Sequence, residues 1–377
     1  MFGTMHEDKE RTQMAKKDIV AGIITTVLAI AVTVTGIVLC GSKFVKHEDG
    51  TAGLEYWTEG SPNAQSIISY VASVTDEESA MYVPPEHRVA VFDVDGTLIG
   101  ELFPTYFDQC LMLHRFLHDN TYEAKPEDKE YCQALETALI NHEELPKAPR
   151  SSGQMIAESF KGFTPDEYRA YIRDFLETPA NGFEGMTYGE GFYKPMVSVV
   201  EYLAGHDFRI FLVSGGERTM VREVTEDTLG KWVSPYHIIG STVSLEATGL
   251  GDVEARKYTY TAEDEVLLEG NMLFKNDRWN KVVSIVNEIG DIPVIAFGNS
   301  TGDLSMGQYT VEHGGKAYML LCDDTERDYG RPDVAEEFRH ECEVFGFNTV
   351  SMKNEFATIY GDNVIKTDFS AELAPAA

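Results

Sequence analysis

Two aspartates stand two positions apart in Phe92-Asp93-Val94-Asp95-Gly96-Thr97-Leu98, just after a short apolar run. Along a strand, alternate residues share a face, so both carboxylates can aim at one point, and Gly96 permits a sharp turn behind them. Paired hard oxygens suit a divalent cation. A calcium-binding helix-loop-helix is the rival reading, but it needs glutamate at the twelfth loop position, where this chain has Pro104. Ser214-Gly215-Gly216 offers a hydroxyl and unobstructed main-chain N–H groups before a helix, a combination that suits an anion. Lys275 and Lys281 both lie upstream of a fourth motif, Gly298-Asn299-Ser300-Thr301-Gly302-Asp303-Leu304, in which Asn299 and Asp303 bring further oxygens. Taken singly these are an Asp-rich turn, a strand-to-helix turn, a solvated lysine and a loop. Their order along the chain is far more specific than any one of them.

The elements that must hold them are legible as an alternation. RVAVFDV, FRIFLVS, YHIIGS, IPVIAFG and KAYMLLC read as short buried strands, and KPMVSVVEYLAG, ERTMVREVTEDTLG and NKVVSIVNEIG carry helical periodicity. Strands alternating with helices argue for an α/β fold with a parallel sheet covered on both faces. In such sheets ligands bind at the carboxyl ends of strands, where the motifs sit. Residues 102–190 break the alternation: polar, aromatic-rich and mostly helical in pattern, they read as an insertion after the first strand. Residues 243–272 fit a small hairpin, residues 64–74 a helix, and residues 43–60 a polar, glycine-containing stalk.

The chain has 377 residues, with 62 Asp+Glu against 31 Lys+Arg. That excess argues against nucleic-acid binding, which needs clustered Lys and Arg. From Ile19 to Ser42 there is no charged residue. As a helix those 24 residues would rise about 36 Å, enough to span a hydrocarbon core of about 30 Å. Lys9, Arg11, Lys16 and Lys17 precede the segment and Lys43 and Lys46 follow it, a bias that places the N-terminus inside. The expectation is a cytoplasmic tail over 1–18, a single-pass anchor over 19–42 and the remainder outside the cell membrane. A cleaved signal with secretion is the alternative, and Cys40 is an ordinary apolar residue of the span or a lipidation site. Cys110, Cys132, Cys322 and Cys342 would face an oxidising side, where disulfides form. His114 and His118 stand four apart but have no evident third metal ligand.

VPPEHRVAVFDVDGTLIGE, YKPMVSVVEYLAGHDFRIFLVSGG and IPVIAFGNSTGDLSM followed by LLCDDTERDYG resemble the haloacid dehalogenase (HAD) superfamily, specifically an exported, membrane-anchored bacterial branch of its phosphoserine-phosphatase-like members. The resemblance covers about Tyr56 to Lys353. It implies a Rossmannoid three-layer core over 61–101 and 191–377, with a helical C1-type cap over 102–190. It implies a Mg²⁺-dependent phosphatase acting on a small phosphomonoester, phosphoserine-like or phosphocholine-like, through an aspartyl-phosphate. Asp93 would be the nucleophile and Asp95 the general acid and base. Ser214, Gly215 and Gly216 would hold the phosphoryl oxygens and Lys281, rather than Lys275, would neutralise charge. Thr97 and Glu101 would face the substrate. The metal would be held by Asp93, Asp95 through its main-chain carbonyl, Asn299 and Asp303. Many members have aspartate where Asn299 stands. A phosphotransferase or mutase would share every motif, and a non-catalytic acidic surface module is a third reading.

Overall fold

Branched and aromatic runs become the centre of a seven-stranded sheet. The computed structural model describes residues 54–101, 105–141 and 143–367. The first strand, β1 (Val89–Phe92), is buried throughout and pairs in parallel with β3 (Arg209–Glu217) and β6 (Ile295–Gly298). Outward from β3 lies β4 (Ile238–Ala247), parallel, and then β5 (Val266–Phe274), antiparallel at the edge. Outward from β6 lie β7 (Lys316–Leu321) and β8 (Asn348–Ser351), both parallel. Along β1, Ala90 and Phe92 join one apolar cluster while Val89 and Val91 join another. Period-two alternation thus feeds a core on each face, giving a three-layer α/β arrangement. Phe92 stacks on Phe297 at 4.4 Å, and Phe297 on Tyr318 at 5.5 Å, tying the adjacent strands β1, β6 and β7 on one side.

Some of the helices begin behind a side-chain cap. α1 (Pro62–Thr75) starts behind Ser61, whose Oγ accepts from Ala64 N at 3.1 Å. After β1 come α2 (Phe107–Leu113), α3 (Pro126–Asn141), α4 (Ser152–Ser159) and α5 (Pro165–Leu176). The last opens with a reciprocal capping box between Thr164 and Glu167. The core helices follow: α6 (Lys194–Ala204), α7 (Arg218–Leu229), α8 (Trp279–Ser284), α9 (Leu304–Glu312), α10 (Pro332–Phe345) and α11 (Met352–Glu355). A separate antiparallel ribbon joins β2 (Phe183–Glu184) to β9 (Ile365–Lys366).

Several expectations change. The hairpin expected over 243–272 is longer, because β4 continues to Ala247 and β5 to Phe274, and it extends the main sheet. The sequence reading missed β8, whose Asn-Thr-Val-Ser run has one apolar residue and becomes a strand by pairing with β7. Residues 54–60 lie against the body and are not part of a polar stalk. Leu54 and Trp57 are buried, and Trp57 Nε1 donates to Pro195 O at 3.0 Å. The apolar segment 19–42, and the anchor read there, fall outside the described residues. Among the described residues no helix is long and apolar enough to cross a membrane. Among the described residues no disulfide joins Cys110, Cys132, Cys322 and Cys342.

Candidate active site

The strand order reverses at β1: the chain goes out through β3 and β4 on one side and through β6, β7 and β8 on the other. A crevice at the carboxyl ends of β1 and its neighbours follows from that topology. Asp93 leaves β1 with its N–H on Phe297 O at 2.9 Å, and the chain then turns, Gly96 N donating to Ile99 O at 2.8 Å. Gly96 has φ +76°, and a Cβ there would come within 2.7 Å of Asn299 Cγ. Glycine is therefore required both by the backbone and by the side chain packed against it.

The two lysines have different surroundings, Lys281 lying on α8. It is 2% exposed, and its Nζ donates to Asp93 Oδ1 and, at 2.6 Å, to Asp303 Oδ1. Lys275 Nζ instead donates to Gly215 O at 2.7 Å. Burial alone would lower the Lys281 ammonium, but Asp303 and Asp93 outweigh it and hold it above its ordinary value. Asp93 is pushed up to about 8 by burial and by the Asp303 carboxylate, against the pull of Lys281. Two carboxylates thus share one ammonium, and a second full negative charge in the buried cluster is disfavoured without a further cation.

Asn299 closes the opposite side. Turned with its nitrogen inward, its amide donates to Asp95 O at 3.0 Å and Asp93 Oδ2 at 3.3 Å. Turned with its oxygen inward, it faces those two oxygens with no donor between them, an arrangement that a cation satisfies. The donor set (a carboxylate, a main-chain carbonyl and an amide oxygen) fits a hard divalent ion. Among the described residues no group of three His, Cys, Asp or Glu side chains could hold a metal, consistent with a set that uses one carboxylate. Asp303 is spent elsewhere: Oδ1 on Lys281, Oδ2 on the N–H groups of Asn299 at 3.0 Å and Ser300 at 3.2 Å. The structure sets it behind Lys281 and the Asn299 loop, so its contacts are those of a positioning residue and not of a direct ligand.

Ser214 is fully buried, and its Oγ accepts from Gly216 N at 2.9 Å, which leaves the hydroxyl proton free to donate. The turn is anchored by two residues that the sequence reading missed. Asn276 Nδ2 donates to Ser214 O at 3.0 Å, and Ser241 Oγ donates to Gly215 O at 2.7 Å. Lys275 adds its charge at the same carbonyl.

On the insertion side, Asp95 holds its proton up to about 7 through burial first and then the nearby Asp108 carboxylate. Glu101 is buried and accepts from Tyr106 OH at 2.8 Å, with Arg331 at 3.6 Å from the same oxygen. Its N–H donates to Tyr193 OH at 3.2 Å, and that hydroxyl lies 3.4 Å from the buried Asp328. Thr97 is fully buried and its Oγ1 has no hydrogen-bond partner, so the structure puts it beneath the turn and not on an open surface. His114 and His118 are each engaged with other residues. Their rings stand 6.4 Å apart, with His118 on Glu136 and His114 packed on Phe175.

Residues 90–308 match the family model described as haloacid dehalogenase-like hydrolase. The chain belongs to that family. This HAD-like hydrolase is similar in structure to a conserved, functionally unknown protein from Anaerococcus prevotii, at 13% identity and TM-score 0.47 over 77% of this chain and 91% of that one. It is similar to a HAD family hydrolase from Salmonella enterica serovar Typhi, at 15% identity and TM-score 0.36 over 67% and 65% of the two chains. A phosphoserine phosphohydrolase-like protein from Francisella tularensis is similar at 15% identity and TM-score 0.34, over 62% and 87%. No curated protein matches the chain.

Proposed function

We propose that this HAD-like hydrolase is a Mg²⁺-dependent phosphomonoesterase that works through an aspartyl-phosphate on Asp93. The observation that carries the reading is the buried ion cluster of Asp93, Lys281 and Asp303 facing the Asn299 amide and the Asp95 carbonyl, with the Ser214 turn alongside. Asp93 Oδ2, Asp95 O and Asn299 Oδ1 would hold the ion, which when bound offsets the repulsion between a carboxylate nucleophile and a phosphate.

The remaining steps belong to the chain. Asp93 attacks phosphorus as the bond to the leaving oxygen breaks, and Asp95 gives that oxygen its proton. A water then attacks the phosphorus, handing its proton to Asp95, and the bond to Asp93 breaks to release phosphate. Ser214 Oγ and the turn at Gly215 donate to the phosphoryl oxygens, and Lys281 neutralises charge building on them. Residues 105–190, carrying α2 to α5, act as the cap that shields the site from water. In this reading the apolar segment 19–42 anchors the enzyme with its catalytic body outside the membrane.

Phosphate release from p-nitrophenyl phosphate, with Mg²⁺ and with EDTA, tests the chemistry. Turnover is expected only with the metal, and Asp93→Asn should abolish it while the melting curve stays nearly the same. A well-folded protein inactive on a broad phosphoester panel would refute the proposal. Alkaline extraction of membranes, followed by protease treatment of intact cells, tests the anchoring separately: solubilised protein, or protection of the body, would refute it.

A further inference from the structure

Strand β3 loses its regular pairing where it reaches the proposed phosphoryl site. Val213 pairs with Ile239 and Glu217 with Ser241, so Ser214, Gly215 and Gly216 stand against the single residue Gly240 of β4. A bulge of that kind leaves main-chain groups without ladder partners. With glycine at both 215 and 216, side-chain sterics do little to fix the peptide planes there. Groups from elsewhere in the chain have to set which way those planes face.

Three side chains do so. Asn276 Nδ2 donates to Ser214 O at 3.0 Å, and Ser241 Oγ and Lys275 Nζ each donate to Gly215 O at 2.7 Å. A trans peptide is planar, with its C=O and the next N–H on opposite sides. The carbonyl held by Asn276 therefore turns the N–H of Gly215 the other way. The held Gly215 carbonyl does the same for Gly216 N, which donates to Ser214 Oγ at 2.9 Å. Asn276 is itself fixed on every side. It is fully buried, its N–H donates to Ser241 Oγ at 3.0 Å, and its Oδ1 accepts from Ser284 Oγ at 2.8 Å. Ser214 O can only accept, so the amide nitrogen must face it and the amide oxygen must face Ser284. Ser284 lies three residues after Lys281 on α8.

We propose that Asn276 is a positioning residue for the phosphoryl site. It holds the Ser214–Gly215 peptide with its N–H toward the phosphoryl oxygens and, through Ser284, ties that setting to the helix that carries Lys281. The inference rests on the phosphomonoesterase reading of the same site. A turned peptide would set a carbonyl oxygen, in place of an N–H, against oxygens that gain charge in the transition state. The transition state depends on that N–H more than the bound ester does, so its loss falls on kcat.

The test uses the full-length protein with Mg²⁺ and p-nitrophenyl phosphate. Asn276→Asp keeps the shape of the side chain but presents an acceptor to Ser214 O. It should lower kcat by about 10²-fold or more, the loss typical of one oxyanion donor. KM should change by less than about threefold, as for an interaction made in the transition state. Ser284→Ala keeps Asn276 but frees its amide to turn, and kcat should fall by about tenfold. In both variants orthovanadate, which takes the five-coordinate geometry of the transferring group, should lose more affinity than inorganic phosphate. Should Asn276→Asp fold poorly, Ser284→Ala carries the kinetic test. A crystal structure of the wild-type protein with orthovanadate decides independently: Gly215 N should donate to a vanadate oxygen, and a carbonyl facing that oxygen overturns the inference. A kcat held within about threefold in the folded variants, or a loss confined to KM, overturns this inference alone. So does an equal loss of affinity for orthovanadate and phosphate. No turnover of any phosphoester by the wild-type protein overturns the phosphatase reading and this inference with it.

Discussion

Lys281→Met removes the ammonium that Asp93 and Asp303 share and keeps a side chain of similar length in its place. Lys281 is 2% exposed, Asp303 1% and Asp93 7%, so water does not readily replace the lost charge. Breaking a buried pair by deleting one partner costs about 3–5 kcal/mol, mostly from the uncompensated charges left behind. Against a stability of about 5–15 kcal/mol this is a large fraction. At about 2 °C per kcal/mol for a large domain, Tm should fall by about 6–10 °C.

The pH dependence of that loss is the sharper part of the prediction. Without Lys281 the pull that lowers Asp93 is lost, so its folded pKa stands still further above the unfolded value of about 3.9. Asp93 already stands at about 8 with the lysine present. A folded pKa raised above the unfolded one means that the folded state binds more protons, and stability falls as pH rises between the two values. The penalty should therefore be small near pH 4 and still growing at about pH 8. Urea and thermal unfolding of both proteins in EDTA across that range measure it. A penalty below about 1 kcal/mol, typical of an exposed pair, or one independent of pH, would refute the buried-cluster argument.

Asn299→Asp should lower the half-saturating Mg²⁺ concentration by adding a carboxylate at the three-oxygen cluster, and Asn299→Ala should raise it; Mg²⁺ titration of turnover or of heat measures both, and no change in either would remove Asn299 from the ion site. For Asp95, held up to about 7, kcat on an alkyl phosphate should fall as pH rises through neutrality, because the proton for the leaving oxygen is lost. Asp95→Asn should slow an alkyl ester by about 10²–10⁴-fold and p-nitrophenyl phosphate less, since nitrophenolate leaves without a proton; equal losses on both would exclude the general-acid role.

What was legible in the sequence divides along a physical line. Asp93, Ser214 and Asn299 sit at or just past the ends of β1, β3 and β6, or within the last turn of the strand, and those strands are short branched runs flanked by glycine. Strand period and turn chemistry are local, so such positions can be read directly. Lys281 was harder to separate from Lys275. The two lie six positions apart, and which one reaches Asp93 depends on a turn at Arg278, whose φ of 54° nothing in its residue type announces. Asn276 and Asp108 were not legible at all. Asn276 meets Ser214 from 62 positions away, and Ser152 meets Asp108 from 44. A polar residue in a polar segment carries no period to reveal such a partner.

The same division separates the reacting groups from the elements packed beside them. The groups proposed to break the ester are fixed by strand ends, and the sheet order that brings them together follows from handed β-α-β connections. The packing of α4 on β5, the antiparallel edge strand whose pairing with β4 shifts register along its length, is instead fixed by contacts between distant segments. Gln154 on α4 accepts from Met272 N at 2.9 Å and donates to Gly270 O at 3.1 Å, fixing that contact. A shift of one residue in β5 would turn Leu268 and Met272 to the other face and remove the contact of α4 with that edge. The register of this edge strand is set by such contacts between distant segments and not by its own period, which is why the sequence displays its reacting groups more openly than the elements packed around them.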